Sequence, residues 1–152
     1  MVLFHTHILL GIIVFLFTKD FFSGGNQIIF FLMVLLGSIL PDIDESKSKI
    51  NQWSGIIGKI IAFFAQHRGF YHSLLFFVIT FMSVSYLWSN YYAWGLLLGY
   101  LAHMFGDGIT LMGVQIFYPF SKFKIKGPVK VGGMVESVIL IFLVILIVKK
   151  FL

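Results

Sequence analysis

The sequence contains no cysteine, and only 11% of its residues are charged. The first absence excludes disulfide bonds, thiolate metal sites and cysteine nucleophiles. The second separates the chain from soluble domains, of which roughly 25% is charged. With 59% hydrophobic residues and a mean hydropathy of +0.99, a soluble fold would expose large apolar patches. The composition therefore excludes soluble, disordered and fibrous proteins. It predicts a polytopic membrane protein with a single domain over residues 1–152.

Long apolar stretches predict about five membrane-spanning helices, because a helix needs about 20 mostly apolar residues to cross a bilayer. The predicted spans cover residues 6–22, 27–40, 73–88, 93–111 and 134–148. The first has no basic residue before Lys19 and no small-residue cleavage site, so we expect a membrane helix and not a cleaved signal peptide. The fold class that follows is an all-α transmembrane helix bundle.

Two segments between the spans have a different pattern. Residues 50–66 are apolar at helical spacing, but the fully apolar stretch after Lys59 is only six residues long. This length predicts an interfacial or re-entrant amphipathic helix and not a span. Residues 113–133 are less apolar and contain two prolines and four lysines. They predict an ordered loop with a short hairpin.

The net charge of +5 indicates the orientation of the chain in the membrane and contact with anionic lipid. Five spans place the N-terminus and the loops at 42–72 and 113–133 on one side, which carries eight basic residues against three on the other. The positive-inside rule makes that side cytoplasmic, at the cell (inner) membrane. Because the basic residues are dispersed, we expect no nucleic-acid partner; the oligomeric state is not defined. If residues 50–66 did span, the polar motifs would be divided between the two sides.

The five histidines and six carboxylates are distributed unevenly. With five spans, all the histidines and every carboxylate except Asp20 lie at or near the cytoplasmic end. Ionisable residues in membrane helices are costly and mark functional sites by default. His103 and Asp107 are four residues apart in an apolar helix and share one face. Together they suit Zn, Mn or Fe, and the alternative is a His–Asp hydrogen bond that stabilises helix packing.

A second cluster precedes the third predicted span, where residues 67–73 read HRGFYHS. Gly69 permits a tight turn, so that His67 and His72 can face one point. Arg68 can bind an anionic phosphate or carboxylate with two hydrogen bonds. The alternative is a group of interfacial residues that solvate the start of a helix.

Further candidates lie at helix ends. Asp42 and Asp44 follow the second predicted helix, and hard cations favour such pairs, in which one acid can bridge two metals; the alternative is a solvated loop. His7 begins the first helix and can point into the bundle, whereas His5 is on another face and is given no role. Glu136 opens the last span as a helix N-terminal acid, a metal ligand or a general base.

Five ordered motifs resemble those of a known family. They read THILLG at 6–11, LGSILPDID at 36–44, HRGFYHS at 67–73, GYLAHMFGD at 99–107 and GVQIFYPF at 113–120. The set resembles the YdjM family of inner-membrane proteins, described as metal-dependent hydrolases and also classed as a domain of unknown function. The resemblance implies a core polar set of His7, Asp42, His72, His103 and Asp107, with Asp44, His67 and Glu136 beside it.

From these patterns we expect an integral-membrane, metal-dependent hydrolase that acts on a lipid or phosphoester at the cytoplasmic face. A divalent metal, with Zn expected first and Mn or Fe as alternatives, would activate water. The expected ligands are His7, Asp42, His67, His72, His103 and Asp107. Asp44 or Glu136 would accept the water proton, and Arg68 would hold an anionic group. The alternatives are a non-enzymatic protein that binds or transports a metal ion, and a structural protein whose polar groups only hold helices together.

Overall fold

The structure is a computed structural model that describes residues 4–65 and 68–151. Over these ranges the chain is helical and contains no β-strand, so the all-α prediction is confirmed. The helices are α1 (Phe4–Thr18), α2 (Gln27–Ile39), α3 (Lys49–Trp53), α4 (Gly55–Phe64), α5 (Leu74–Leu87), α6 (Asn90–Gly108) and α7 (Met134–Phe151). Short 3₁₀ helices follow α1 at Lys19–Phe21, follow α2 at Leu40–Asp44 and precede α5 at Phe70–His72.

Polar residues define where the main helices begin. The side chain of Asn26 accepts hydrogen bonds from the backbone N–H groups at the start of α2. Ser73 does the same for α5 and Ser89 for α6. Each cap satisfies backbone donors that have no partner inside the helix. The cap at Ser73 also fixes the position of the preceding turn, which carries His72.

The central helix is α6, which packs against α1, α2 and α5. Glycines allow α2 and α6 to approach closely: a Cβ atom on Gly37 would overlap the carbonyl oxygen of Leu96, and one on Gly99 would overlap that of Val34. Close backbone approach at small residues is a common way to pack helices in membranes. This contact places the last turns of α6 beside the end of α2.

Two helical stretches are long and apolar enough to cross a membrane, Phe4–Phe21 and Gln27–Asp44, each of 18 residues. The prediction of five spans is therefore not supported by the described helices. Helix α5 has 14 residues, or about 21 Å at the helical rise, against a hydrocarbon core of about 30 Å. Helix α7 includes three charged residues, Glu136, Lys149 and Lys150. The apolar composition of the sequence therefore did not predict the short length of α5 or the charged residues within α7.

The segment at 50–66 contains no helix of spanning length in its described part. Helix α4 has ten residues, about 15 Å, and Gly58 packs it against the backbone of Asn51. Its large apolar side chains, among them Ile57 and Phe63, are exposed. In the loop at 113–133, the predicted hairpin is a single bridge in which Val114 and Ile125 exchange backbone hydrogen bonds of 2.8 and 3.0 Å.

Candidate metal centre

Four separate elements bring ionisable side chains to one buried point. Helix α1 supplies one histidine, the 3₁₀ helix after α2 supplies two acids, the turn before α5 supplies an arginine and a histidine, and α6 supplies a histidine and an acid. Each of these residues is at most 5% exposed: His7, Asp42, Asp44, Arg68, His72, His103 and Asp107. Charged groups are rarely buried this deeply unless they are paired or bind a metal.

The pair formed by His72 and His103 lies at the middle of the cluster. Their Nε2 atoms are 3.2 Å apart. On the far side of the rings, Nδ1 of His103 lies 2.8 Å from the carbonyl oxygen of Ser38, and Nδ1 of His72 lies 3.3 Å from Oδ2 of Asp44. The carbonyl oxygen of Ser38 can only accept, so Nδ1 of His103 carries the hydrogen and its Nε2 presents a lone pair. The carboxylate of Asp44 favours the same tautomer at His72. Two lone pairs at this distance repel each other unless a proton or a metal cation lies between them.

Two carboxylates complete this group of donor atoms. Oδ1 of Asp42 lies 3.9 Å from Nε2 of both histidines. Oδ2 of Asp107 lies 3.6 Å from Nε2 of His72 and 3.9 Å from Nε2 of His103. In a tetrahedral zinc site with bonds of about 2.0–2.2 Å, neighbouring ligand atoms are about 3.3–3.6 Å apart. The distances from each carboxylate oxygen to the two imidazole nitrogens are therefore close to those that a divalent metal requires, and small side-chain movements would close the difference.

His7 adds a third imidazole beside this group. Its ring stacks on that of His103, with centroids 3.9 Å apart and planes 11° from parallel. Its Nε2 lies 3.6 Å from Oδ1 of Asp107, too far for a good hydrogen bond. Within the described residues neither ring nitrogen of His7 has a hydrogen-bond partner. A buried polar group without a partner is costly, and a bound cation would satisfy it. His7, His103 and Asp107 offer three ligand atoms within 4.8 Å of one another, as do Asp42, His72 and His103.

Arg68 is turned into the protein. Its Nη2 lies 2.8 Å from Oδ1 of Asp107, and its Nη1 donates to the carbonyl oxygen of Gly113 at 2.8 Å and to Oγ1 of Thr110 at 3.2 Å. Its backbone N–H donates to Oδ2 of Asp44 at 3.1 Å, and its φ of 61° lies in the left-handed region. Nη1 of the guanidinium thus binds the protein itself, whereas Nε makes no hydrogen bond among the described residues. The binding of an anionic group by Arg68 stays a prediction.

Four other residues considered in the sequence analysis, Asp44, Glu136, His67 and His5, have different positions relative to the two central histidines. Asp44 contacts His72 on the side away from His103. Glu136 is buried at the start of α7, where it accepts hydrogen bonds from the backbone of Gly132 at 2.6 Å and from the hydroxyl of Thr6 at 3.4 Å. The predicted ligand His67 lies outside the described residues. His5, which was given no role, is exposed.

The sequence patterns missed three neighbours that fix the site. Ser38 contacts His103 through its backbone carbonyl, and Thr110 contacts Arg68 through its hydroxyl. In the sequence, each is a polar residue within an apolar stretch, and this was the only signal that could have indicated it. Tyr71 precedes His72. Burial and the charge of Asp44 raise the pKa of its phenol above the ordinary value, so this residue remains neutral beside the acid.

Comparisons with known proteins agree on a family. A family model described as YdjM inner membrane protein matches residues 1–151. YvsG of Bacillus subtilis is 29% identical over 123 residues, which cover 79% of this chain and 76% of YvsG. Inner membrane protein YdjM of Escherichia coli is 39% identical over 93 residues, which cover 56% of this chain and 46% of that protein. The chain thus matches about half the length of that relative, and no solved structure matches it.

Proposed function

The chain belongs to the YdjM inner membrane protein family, and from this premise we propose that it is a membrane-embedded, metal-dependent hydrolase. The observation that carries the proposal is the facing pair of Nε2 atoms of His72 and His103, 3.2 Å apart, with carboxylate oxygens of Asp42 and Asp107 beside them. Two imidazoles and two carboxylates form a donor set typical of Zn, and Mn or Fe are alternatives.

Most residues of the cluster have a part in this proposal, and His7 is a further candidate ligand beside His103 and Asp107. A metal held by His72, His103, Asp42 and Asp107 would supply a polarised bond and water whose pKa is lowered to about 7. Asp44 orients His72 through Nδ1, and Arg68 holds the second oxygen of Asp107, so that both ligands keep their direction. Asp44 or Glu136 is the proposed proton acceptor. Asp44 contacts His72 and the backbone of Arg68, and Glu136 accepts from Gly132 and Thr6, so either carboxylate would exchange one of these contacts for the water proton.

The substrate class in this proposal is a lipid, and a phosphoester in particular. The helical stretches Phe4–Phe21 and Gln27–Asp44, which contain α1 and α2, are long and apolar enough to span. The proposed ligands lie at the first turns of α1 and at the end of the second stretch. This position is at the level of the bilayer surface, where lipid ester and phosphoester groups are found.

Metal content is the first measurement. Detergent-purified protein would be supplied with Zn or Mn and measured by elemental mass spectrometry, beside His103→Ala/Asp107→Ala and, as a control, His5→Ala. Near-stoichiometric metal in the wild type and in His5→Ala, lost from the double variant, is the expected result. The absence of metal from all three proteins would overturn the proposal. A metal-loaded protein that is inert towards a broad panel of phospholipids and esters would overturn its enzymatic part.

A second candidate function is the binding or transport of a metal ion without catalysis. The observation that favours it is the burial of the ligands, since His7, His72, His103 and Asp107 are all 0% exposed. Ionisable groups buried in a membrane protein also mark ion pathways. Uptake of radioactive Zn or Mn into proteoliposomes, lost in His103→Ala, would favour transport over hydrolysis.

We also propose that the site faces the cytoplasm and that α5, α6 and α7 lie in the membrane with α1 and α2. Support comes from the large apolar side chains exposed along α5 and α7, such as Val78, Met82, Ile141 and Ile145, which a soluble protein would bury. The cysteine-free sequence makes single-cysteine labelling straightforward. A membrane-impermeant maleimide applied to intact cells should label Ser23→Cys and Lys149→Cys but not Lys124→Cys. Equal labelling of Lys124→Cys and Lys149→Cys would refute the five-span arrangement.

A further inference from the structure

An apolar cleft lies between α1, α6 and α7, on the side of α6 that carries Gly106. Its volume is about 260 Å³. At its mouth are Phe105 and Phe142, which are 64% and 57% exposed. At its inner end are Thr6, Thr110 and Glu136, which are at most 3% exposed. The cleft therefore runs from an exposed aromatic rim into the buried core of the protein.

The wall of the cleft presents hydrocarbon even where polar residues line it. The hydroxyl of Thr6 donates to Glu136 at 3.4 Å, and the other carboxylate oxygen of Glu136 accepts from the backbone of Gly132 at 2.6 Å. The hydroxyl of Thr110 donates to the carbonyl oxygen of Asp107 at 2.7 Å. With these polar atoms engaged, methyl, methylene and ring carbons face the space. Such a surface suits an apolar ligand and offers no hydrogen bond to a polar one.

The cleft adjoins the candidate metal centre at Gly106, which has no side chain. A Cβ atom placed on Gly106 would lie 3.3 Å from Cε1 and Nδ1 of His7. On the other wall, Thr110 contacts Arg68, which in turn binds Asp107. An apolar ligand in the cleft would therefore end beside the imidazole that lacks a hydrogen-bond partner among the described residues.

We propose that this cleft binds one acyl chain of a membrane lipid, and that the lipid reaches the metal centre sideways from the bilayer. The inference rests on the proposed function and adds to it the binding site of one acyl chain and the route of the lipid. The cleft is continuous with an exposed surface of the protein, and this indicates its ligand. Phe142 at the mouth adjoins the exposed apolar face of α7 that carries Ile141 and Ile145. In a membrane, this face contacts acyl chains, so a chain is the apolar ligand already present at the opening.

The dimensions and direction of the cleft also fit an acyl chain. Its lining residues on α7 extend from Glu136 to Leu143, seven residues or about 10 Å along the helix. One leaflet contributes about half of the 30 Å hydrocarbon core, so the cleft accommodates most of the chain within one leaflet. Its inner end lies at the first turns of α1 and α7, the level at which His7 is found. A lipid held there would have its ester or phosphoester group near the metal ligands.

The test uses photo-cross-linking in vesicles. The wild-type protein is reconstituted into phosphatidylglycerol vesicles that contain a small fraction of the same lipid with a diazirine near the end of one acyl chain. Cross-linked positions are mapped by mass spectrometry. The variant is Ile139→Trp, which fills the cleft; the control is Ile141→Trp, the same substitution on the exposed face of α7, where Ile141 is 58% exposed.

Cross-links should concentrate on cleft residues such as Phe105 and Leu143 and should compete with unlabelled long-chain lipid. They should fall roughly tenfold or more in Ile139→Trp, because each buried methylene of a bound chain contributes severalfold to affinity. They should persist in Ile141→Trp. Labels spread evenly over the exposed faces of α1, α5 and α7, with no effect of Ile139→Trp, would overturn the proposal.

The two proposals can fail separately. Cross-linking does not require metal, so His103→Ala/Asp107→Ala should still be labelled in the cleft. Cleft labelling without hydrolysis by the metal-loaded protein would retain the acyl-chain site and overturn the hydrolase. Hydrolysis of a short, water-soluble phosphoester by a protein with no cleft labelling would retain the hydrolase and overturn the acyl-chain site.

Discussion

The Nε2 atoms of His72 and His103 face each other at 3.2 Å while the Nδ1 atom of each ring lies against an acceptor on the opposite side. For His103 this acceptor is the carbonyl oxygen of Ser38, and for His72 it is the carboxylate of Asp44. Metal-binding histidines are commonly held in this way, with the second nitrogen donating to a carbonyl or a carboxylate. The rings therefore have the orientation of ligands, and the position between them is where we expect a cation.

Metal should stabilise the folded protein through these two rings. A ligand that binds only the folded state adds about 2.7 kcal/mol to the free energy of unfolding at a hundredfold excess over its dissociation constant. We expect the thermal midpoint in detergent to rise with Zn or Mn concentration for the wild type and for His5→Ala, and to stay constant for His72→Ala and His103→Ala. An equal rise in all four proteins would place the binding elsewhere.

Asp44 should tune metal affinity without being a ligand. Substitution Asp44→Asn keeps the size of the side chain but removes the charge behind Nδ1 of His72. Loss of such a partner typically costs about 10–100-fold in metal affinity. The measurement is competition for Zn against a chelating dye. Glu45→Gln is the matched control, because it removes the neighbouring carboxylate charge, whose side chain accepts from the backbone of Lys47. A similar loss in both variants would indicate a general charge effect on the loop.

Residue spacing predicted part of the cluster. His103 and Asp107 share a helix face by the four-residue rule, and acids just after a helix end come close to whatever that helix packs against. The positions of Asp44 and Arg68 could not be obtained in this way. They depend on the 3₁₀ helix at Leu40–Asp44 and on the positive φ of Arg68, and a hydropathy pattern contains no signal for either.

The number of spans was also beyond the sequence pattern. Composition located the apolar segments, but helix length depends on where backbone hydrogen bonding begins and ends. Ser73 caps α5 and Trp88 ends it after 14 residues, so an apolar stretch that reads as a span forms a short helix. The approach of α2 to α6 was equally hidden, because glycine in an apolar segment is consistent with either a bend or a close contact.

The close contact of α2 and α6 should be sensitive to a single methyl group. Gly99→Ala would place Cβ on the carbonyl oxygen of Val34, and overpacking of this kind typically costs about 1–3 kcal/mol. Gly108→Ala in the same helix is the control, since its Cβ would meet only Ile125 and Val114 at 3.9 Å. Thermal unfolding in detergent should show a lower midpoint for Gly99→Ala alone. Equal midpoints for the two variants would mean that the helices are not in backbone contact.

Arg68 and Asp107 should be coupled in stability. Both side chains are buried, and Nη2 of Arg68 lies 2.8 Å from Oδ1 of Asp107. Removal of one partner of a buried ion pair leaves an uncompensated charge and typically costs about 3–5 kcal/mol. We therefore expect Arg68→Met to unfold at much lower temperature or denaturant concentration than the wild type.

The double variant Arg68→Met/Asp107→Asn distinguishes charge pairing from simple packing. Once the carboxylate of Asp107 is neutral, the loss of the guanidinium leaves no uncompensated charge at this pair, so the double variant should be more stable than Arg68→Met alone. The interaction energy is calculated from the unfolding free energies of the wild type, the two single variants and the double variant. It should exceed roughly 0.5 kcal/mol, the value within which independent positions are additive. Purely additive effects would show that Arg68 contributes through Thr110 and Gly113, and that another group compensates the charge of Asp107.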